Sequence, residues 1–189
     1  QVTGKQEYRD YVLYVADVLL EAAVEDEQGL HWSDQEDVTA DGGFIVFLDH
    51  VYRRTGIKKY LDFACKAADR IGKDALDAPL GGKFWKLLDL SMIDFPKETT
   101  FPNWSHGTTG TAWMFCVLYQ DTKREDYLKL AKAGLEYAMN ISVGDETGRL
   151  IPYQDHPVTG PTYDKYYLST CHGPVGGTLA FRAVYEATG

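Results

Sequence analysis

Thr170-Cys171-His172-Gly173-Pro174-Val175-Gly176-Gly177 packs a thiol, an imidazole and three glycines into eight residues. An earlier stretch, Trp104-Ser105-His106-Gly107-Thr108-Thr109-Gly110, echoes it. Both read His-Gly-x-x-Gly and run straight into an apolar segment. That arrangement reads as the starts of two equivalent helices, with glycines giving backbone freedom in the turn and room for close approach.

Working outward, a third copy emerges. Gly43, Gly110 and Gly176 align 67 and 66 residues apart. Nine residues after each glycine stands Tyr52, Tyr119 or Tyr185, and three further on Thr55, Thr122 or Thr188. Five beyond that, Tyr60-Leu61 matches Tyr127-Leu128. The apolar runs 44–52, 107–119 and 173–185 are too continuous for surface helices and predict helices buried on most sides. Between them, apolar residues at spacings of three and four predict amphipathic helices over 6–24, 58–71 and 125–141. Tyr8, Asp10, Ala16 and Asp17 stand in the first of these as Tyr60, Asp62, Ala68 and Asp69 stand in the second. Gly81-Gly82-Lys83-Phe84-Trp85 likewise repeats the idea of Gly29-Leu30-His31-Trp32. Leu30-His31-Trp32 and Leu150-Ile151-Pro152-Tyr153 are the candidate extended pieces.

The unit is thus an apolar helix, a short turn, an amphipathic helix and a variable loop. Apolar helices must be surrounded, and amphipathic ones can form an outer wall. The expected fold is all-α: an α/α toroid of repeated helical hairpins, present as about half a ring. Residues 1–189 are expected to form a single toroid domain, incomplete at both ends, because three inner helices do not close a ring. A fragment of a protein about twice as long is favoured over an open half-toroid.

The net charge of −9 argues against nucleic acid as a partner, since phosphate binding needs clustered Lys and Arg. No run of 18 apolar residues exists, so no membrane span is expected. No basic and then apolar leader opens the chain, so no signal peptide is expected either. Cys65, Cys116 and Cys171 are odd in number and widely spaced, which favours a reducing cytoplasm over a disulfide framework. Asn103-Trp104-Ser105 and Asn140-Ile141-Ser142 match the glycosylation acceptor pattern by chance.

In a ring of equivalent inner helices, the same ends converge on one cavity. Cys171 and Ser105 share a repeat position, as do His172 and His106; the first copy has Val38 and Thr39 there. A cysteine at a helix start is a candidate thiolate. Thiolate with imidazole suits zinc, so Cys171 and His172 are the candidate metal ligands, although two adjacent donors are not a complete site. His106 and Asp41 are the candidate catalytic groups. Asp41 is read either as a helix cap or as a cavity carboxylate acting as base or orienting group. Cys65 and Cys116 read as core, and Trp104 as a packing or cavity-lining residue. His31, His50 and His156 read as surface or satisfied histidines.

These residues resemble the lanthionine synthetase C-like family, whose inner helices begin with Ser-His-Gly-x-x-Gly, Trp-Cys-x-Gly-x-x-Gly and Cys-His-Gly-x-x-Gly motifs. Ser105-His106-Gly107-Thr108-Thr109-Gly110 is similar to the first, and Cys171-His172-Gly173-Pro174-Val175-Gly176 to one of the other two. Tyr119, Thr122, Tyr127 and Leu128 also follow the family pattern. The resemblance implies an α/α toroid with a central zinc held by two cysteines and one histidine, and a peptide or small-thiol substrate. In the family's enzymes a peptide cysteine adds to a dehydrated residue and a thioether ring forms. Carried over, Cys171 is a zinc ligand and His106 the acid/base or substrate-orienting group.

Two departures stand out. One motif cysteine is present, so the zinc site is incomplete in this chain. If Cys171 matches the penultimate motif, its partners lie beyond Gly189 and His172 is not a ligand; Thr170 then replaces the usual tryptophan. If it matches the last motif, His172 is a ligand and Ser105 replaces a cysteine. Two other readings stay open. One is a carbohydrate-active α/α-toroid enzyme of epimerase or glycoside-hydrolase type, using Phe84, Trp85, Trp104 and Tyr153 to stack on sugars. The other is a non-catalytic relative that binds peptide or thiol.

Overall fold

The computed structural model describes residues 4–33, 35–86, 96, 98–156, 158–164 and 166–189. Six helices alternate in role. α1 (Gln6–Ala22), α3 (Lys58–Lys73) and α5 (Glu125–Asn140) form an outer layer; α2 (Asp41–Thr55), α4 (Thr108–Thr122) and α6 (Pro174–Thr188) form an inner one. α2 packs on α3 and α4 on α5, and α4 also touches both α2 and α6. The inner helices therefore stand side by side, each backed by an outer helix. α4 is the most enclosed, burying ten of its fifteen residues, which is why its sequence is apolar all round. Among the described residues no helix is long and apolar enough to cross a membrane.

The repeated residues have repeated jobs. Each inner helix ends in a left-handed residue, Gly56, Lys123 or Gly189, whose N–H donates to the carbonyl of Tyr52, Tyr119 or Tyr185. The threonine one residue earlier closes the last turn. Thr55, Thr122 and Thr188 donate to the carbonyls of Val51, Leu118 and Val184 at 2.7, 2.7 and 2.9 Å. The Thr55 and Thr122 hydroxyls also accept from the N–H groups of Ile57 and Arg124, which shapes the turn into the outer helix.

Tyrosine and aspartate lock neighbouring units of the wall. The Tyr60 hydroxyl donates to Asp17 at 2.9 Å, and the equivalent Tyr127 hydroxyl to Asp69 at 2.7 Å. The tryptophans repeat as well. Trp32 Nε1 donates to the Leu19 carbonyl at 2.7 Å, and Trp85 Nε1 to the Ile71 carbonyl at 2.8 Å. Phe84 and Trp85 are thus wall residues, Phe84 against Tyr137 and Trp85 against Phe115.

Each outer helix is followed by a small antiparallel hairpin: β1 (Val24–Glu25) with β2 (Leu30–His31), β3 (Leu76–Asp77) with β4 (Lys83–Phe84), and β5 (Val143–Asp145) with β6 (Gly148–Leu150). The expected extended pieces are here, shifted at the last to Gly148–Leu150. Their partners β1, β3 and β5 escaped sequence reading because strands of two or three residues carry no measurable alternation.

Candidate functional site

The reactive residues sit on loops folded back over the first turns of the inner helices. The Thr108 and Thr109 N–H groups of α4 donate to the carbonyls of Phe101 and Pro102 at 3.0 and 3.2 Å. In α2, the N–H groups of Asp41 and Gly42 donate to the carbonyls of Gln35 and Asp37 at 3.1 and 3.0 Å. These amides, orphaned at any helix start, are therefore already satisfied by the loop. The glycine pairs exist for this docking: a Cβ on Gly107 would lie 1.8 Å from the Phe101 carbonyl oxygen, and one on Gly173 1.9 Å from that of Tyr167. A Cβ on Gly110 or Gly176 would meet the Trp104 or Thr170 carbonyl at 1.8 or 2.0 Å.

Docking the loops identically brings the same repeat position of adjacent units together. Thr39 Oγ1 lies 3.3 Å from His106 Nδ1, and the His106 and His172 rings stack with centroids 5.5 Å apart. Behind His106 stands Asp37, with Oδ2 3.7 Å from Nδ1, an ion-pair rather than a hydrogen-bond separation. Asp37 is only 4% exposed, whereas the His106 side chain is 38% exposed. Burial disfavours charge on Asp37. The His106 imidazole, Thr39 and Gln35 outweigh it and hold the carboxyl below its ordinary range. With Nδ1 turned to Asp37 and Thr39, Nε2 is the nitrogen of His106 left for a substrate. A buried carboxylate orienting a half-exposed imidazole is an acid/base arrangement.

His172 has aromatic neighbours on its other sides, Tyr153 at 5.2 Å, Tyr167 at 5.9 Å and Phe101 at 6.4 Å between centroids. Burial, then the proximity of His106, lowers its tendency to protonate. Asn103 is buried and committed at both ends of its amide, to the Tyr153 carbonyl and the His106 N–H, each at 3.3 Å. Trp104 packs on Trp113 at 5.5 Å.

Asp41 is held by a different set of contacts and lines the cleft that Glu36 also lines. It is the first residue of α2, not its cap, and its carboxylate accepts from the Trp32 and Ser33 N–H groups and the Ser33 hydroxyl. It anchors the segment after the first hairpin, and Asp37 is the carboxylate that meets His106. Asp37 was legible in one respect: it lies two residues before Thr39, the first-copy counterpart of His106 and His172.

Ser105, the counterpart of Cys171, is buried. Its N–H and hydroxyl both donate to the Cys171 carbonyl, at 3.0 and 3.1 Å, stitching the second unit to the third. The Cys171 thiol is exposed, Cys116 is buried, and Cys65 is partly buried against the core. Among the described residues, no three or more His, Cys, Asp or Glu side chains converge to hold a metal ion. Cys171 and His172 offer two donors at most, fewer than the three that a catalytic zinc takes from protein. The described residues therefore do not compose a zinc site on their own.

Glu36 faces away from Asp37, into a cleft of about 410 Å³ lined also by Arg70, Lys73 and Asp74. Burial, followed by a hydrogen bond shared with Asp74, pushes its carboxyl up to about 9.

One protein family, described as lanthionine synthetase C-like protein, matches residues 40–151, more than half of the chain. No curated protein matches it.

Proposed function

Because the chain belongs to the lanthionine synthetase C-like family, we propose that its loop face is the acid/base centre of a thiol-handling, cyclase-type protein acting on peptides. The observation that carries this reading is the Asp37–His106 pair, built from neighbouring units and half open to solvent. In the reaction a thiolate sulfur bonds to the β-carbon of a dehydroalanine or dehydrobutyrine. The π electrons move to form an enolate, and a proton is delivered to the α-carbon. His106 Nε2 is the proton-transfer atom, with Asp37 orienting the ring and balancing its positive charge. The net change moves the thiol proton to carbon.

Zinc, where bound, supplies thiolate at neutral pH. Cys171 is the chain's candidate donor for it, and His172 stands beside His106 as a wall of the site. The carbohydrate reading has less support, because Trp85 packs into the wall and Trp104 packs on Trp113.

The test is thioether formation, followed as loss of alkylatable thiol in a peptide carrying one cysteine and one dehydroalanine. His106→Asn is expected to slow it by about 10²–10⁴-fold, and Asp37→Asn by less. Unchanged rates in both would refute the assignment. For the metal, zinc content is compared with that of Cys171→Ala; equal content removes Cys171 as a donor.

A further inference from the structure

A second cleft lies between the turn of the β3–β4 hairpin, the end of α5 and residues 155, 156 and 158–161. Its volume is about 290 Å³. The walls are apolar: Pro79, Leu80, Phe84, Ile141, Val158 and Pro161. At one end sits a single carboxylate, Asp155. Tyr137 donates its hydroxyl to Asp155 Oδ2 at 2.8 Å, and the His156 N–H donates to Oδ1 at 2.8 Å. A carboxylate offers about four acceptor positions, so two remain.

The fold holds this carboxylate in place from three directions. The Asp155 backbone bridges Thr100, with N–H to carbonyl distances of 2.8 and 2.9 Å. The His156 ring accepts at Nδ1 from the N–H groups of Val158 at 3.1 Å and Thr159 at 3.2 Å, which closes the loop on itself. Tyr137 is fully buried and lies against Phe84, with ring centroids 5.6 Å apart. The cleft is therefore preformed. At its lip Leu80 is 65% and Val158 82% exposed.

Charge is out of balance here. Asp155 is partly buried, and among the described residues no cation forms an ion pair with it. Among the described residues, no Lys or Arg lines the cleft. Apolar walls with one oriented acid, two aromatic rings and an uncovered apolar lip are complementary to one kind of guest: an ammonium group on an apolar or aromatic body.

We propose that this cleft is a binding site for an alkyl- or arylalkyl-ammonium group, its nitrogen on Asp155 and its apolar part between Phe84, Ile141 and Pro161. Two sources share that chemistry, a free amine and a lysine side chain of a peptide. The proposal uses neither His106 nor Asp37 and stands whether or not the chain is a cyclase.

The experiment is a titration of the full chain with phenethylamine, followed by backbone amide shifts in two-dimensional NMR. A second titration uses a short terminally blocked peptide with one lysine, which separates the two sources by their relative affinity. Saturable low-millimolar binding of phenethylamine is expected, with shifts centred on Val158, Thr159 and Gly160. Phenylacetate, of similar size and opposite charge, should bind at least tenfold more weakly. Asp155→Asn should weaken phenethylamine at least tenfold and leave neutral 2-phenylethanol nearly unchanged. Because Asp155→Asn also touches Tyr137, Leu80→Lys provides a second variant: its side chain is at the lip, and a fixed cation there should weaken the amine to a similar extent. Equal binding of phenethylamine and phenylacetate would overturn the proposal, as would shifts centred on His106 or no saturable binding of either amine.

Discussion

Replacing Gly107 by alanine tests how the site is assembled. The backbone there is extended (φ −159°, ψ −164°), a conformation alanine adopts, so any cost comes from contact. The new Cβ would lie 1.8 Å from the Phe101 carbonyl oxygen and 2.5 Å from its carbon, where ordinary contact begins at 3.4 Å. Both partners are backbone, and no flexible side chain can yield. The carbonyl must retreat by about 1.6 Å, which breaks the 3.0 Å hydrogen bond from Thr108 N–H. Leaving that buried N–H unpaired costs ~1–3 kcal/mol.

Phe101, only 4% exposed and set edge-on against Tyr153, is lifted as well; exposing part of its ring costs ~1 kcal/mol. Against this, alanine restricts the unfolded chain by ~0.4–1 kcal/mol. The net expectation is a loss of ~2–3 kcal/mol, or roughly 5–10 °C in melting temperature for a chain of this length. The control is Gly148→Ala, where a Cβ meets nothing within 4 Å; its stability should stay within ~0.5 kcal/mol of the parent. Urea unfolding followed by far-ultraviolet circular dichroism measures both. If Gly107→Ala unfolds at the same midpoint as Gly148→Ala, the docked-loop account of the glycine pairs is wrong.

Two further predictions concern single positions. Lys123 occupies the left-handed cap with φ 55°, where the other two units have glycine, so Lys123→Gly should stabilise the chain by ~0.5–1 kcal/mol; a lower urea midpoint would contradict this. Glu36, raised from 4.5 to about 9, keeps a proton when folded that the unfolded chain releases between those values. The native state then binds more protons than the unfolded one, so stability falls as pH rises through that window, by up to ~1.4 kcal/mol per pH unit. Glu36→Gln should flatten that part of the stability–pH profile, and parallel profiles for parent and variant would reject the assignment.

The sequence disclosed the frame more fully than the chemistry, for a physical reason. Glycine and threonine recur at fixed offsets because each serves a local backbone need: a carbonyl docked on a first turn, and a hydroxyl closing the last turn. Local needs leave local signatures. Asp37 has none. Its relation to His106 exists only once α2 and α4 stand side by side and their loops fold back. Asp41 carried the stronger local signal, standing at a helix start, yet its carboxylate was turned to Trp32 and Ser33 by a hairpin too short to announce itself. Cys171 and His172 were marked by the glycine frame, and what the structure added was their surroundings: an exposed thiol, and a ring stacked on His106.

The loop docking also bears on how such a protein diversifies. Each unit carries its reactive position on a loop fastened to that unit's own helix largely by backbone groups and glycines. Side chains at Thr39, His106 and His172 contribute little to that fastening. A frame of this kind separates architecture from chemistry: one unit can exchange hydroxyl for imidazole while its neighbours keep their geometry. Duplicated units inherit the scaffold intact and the reactive position as a blank to be rewritten: here it reads Thr39, His106 and His172, and the position before it Val38, Ser105 and Cys171.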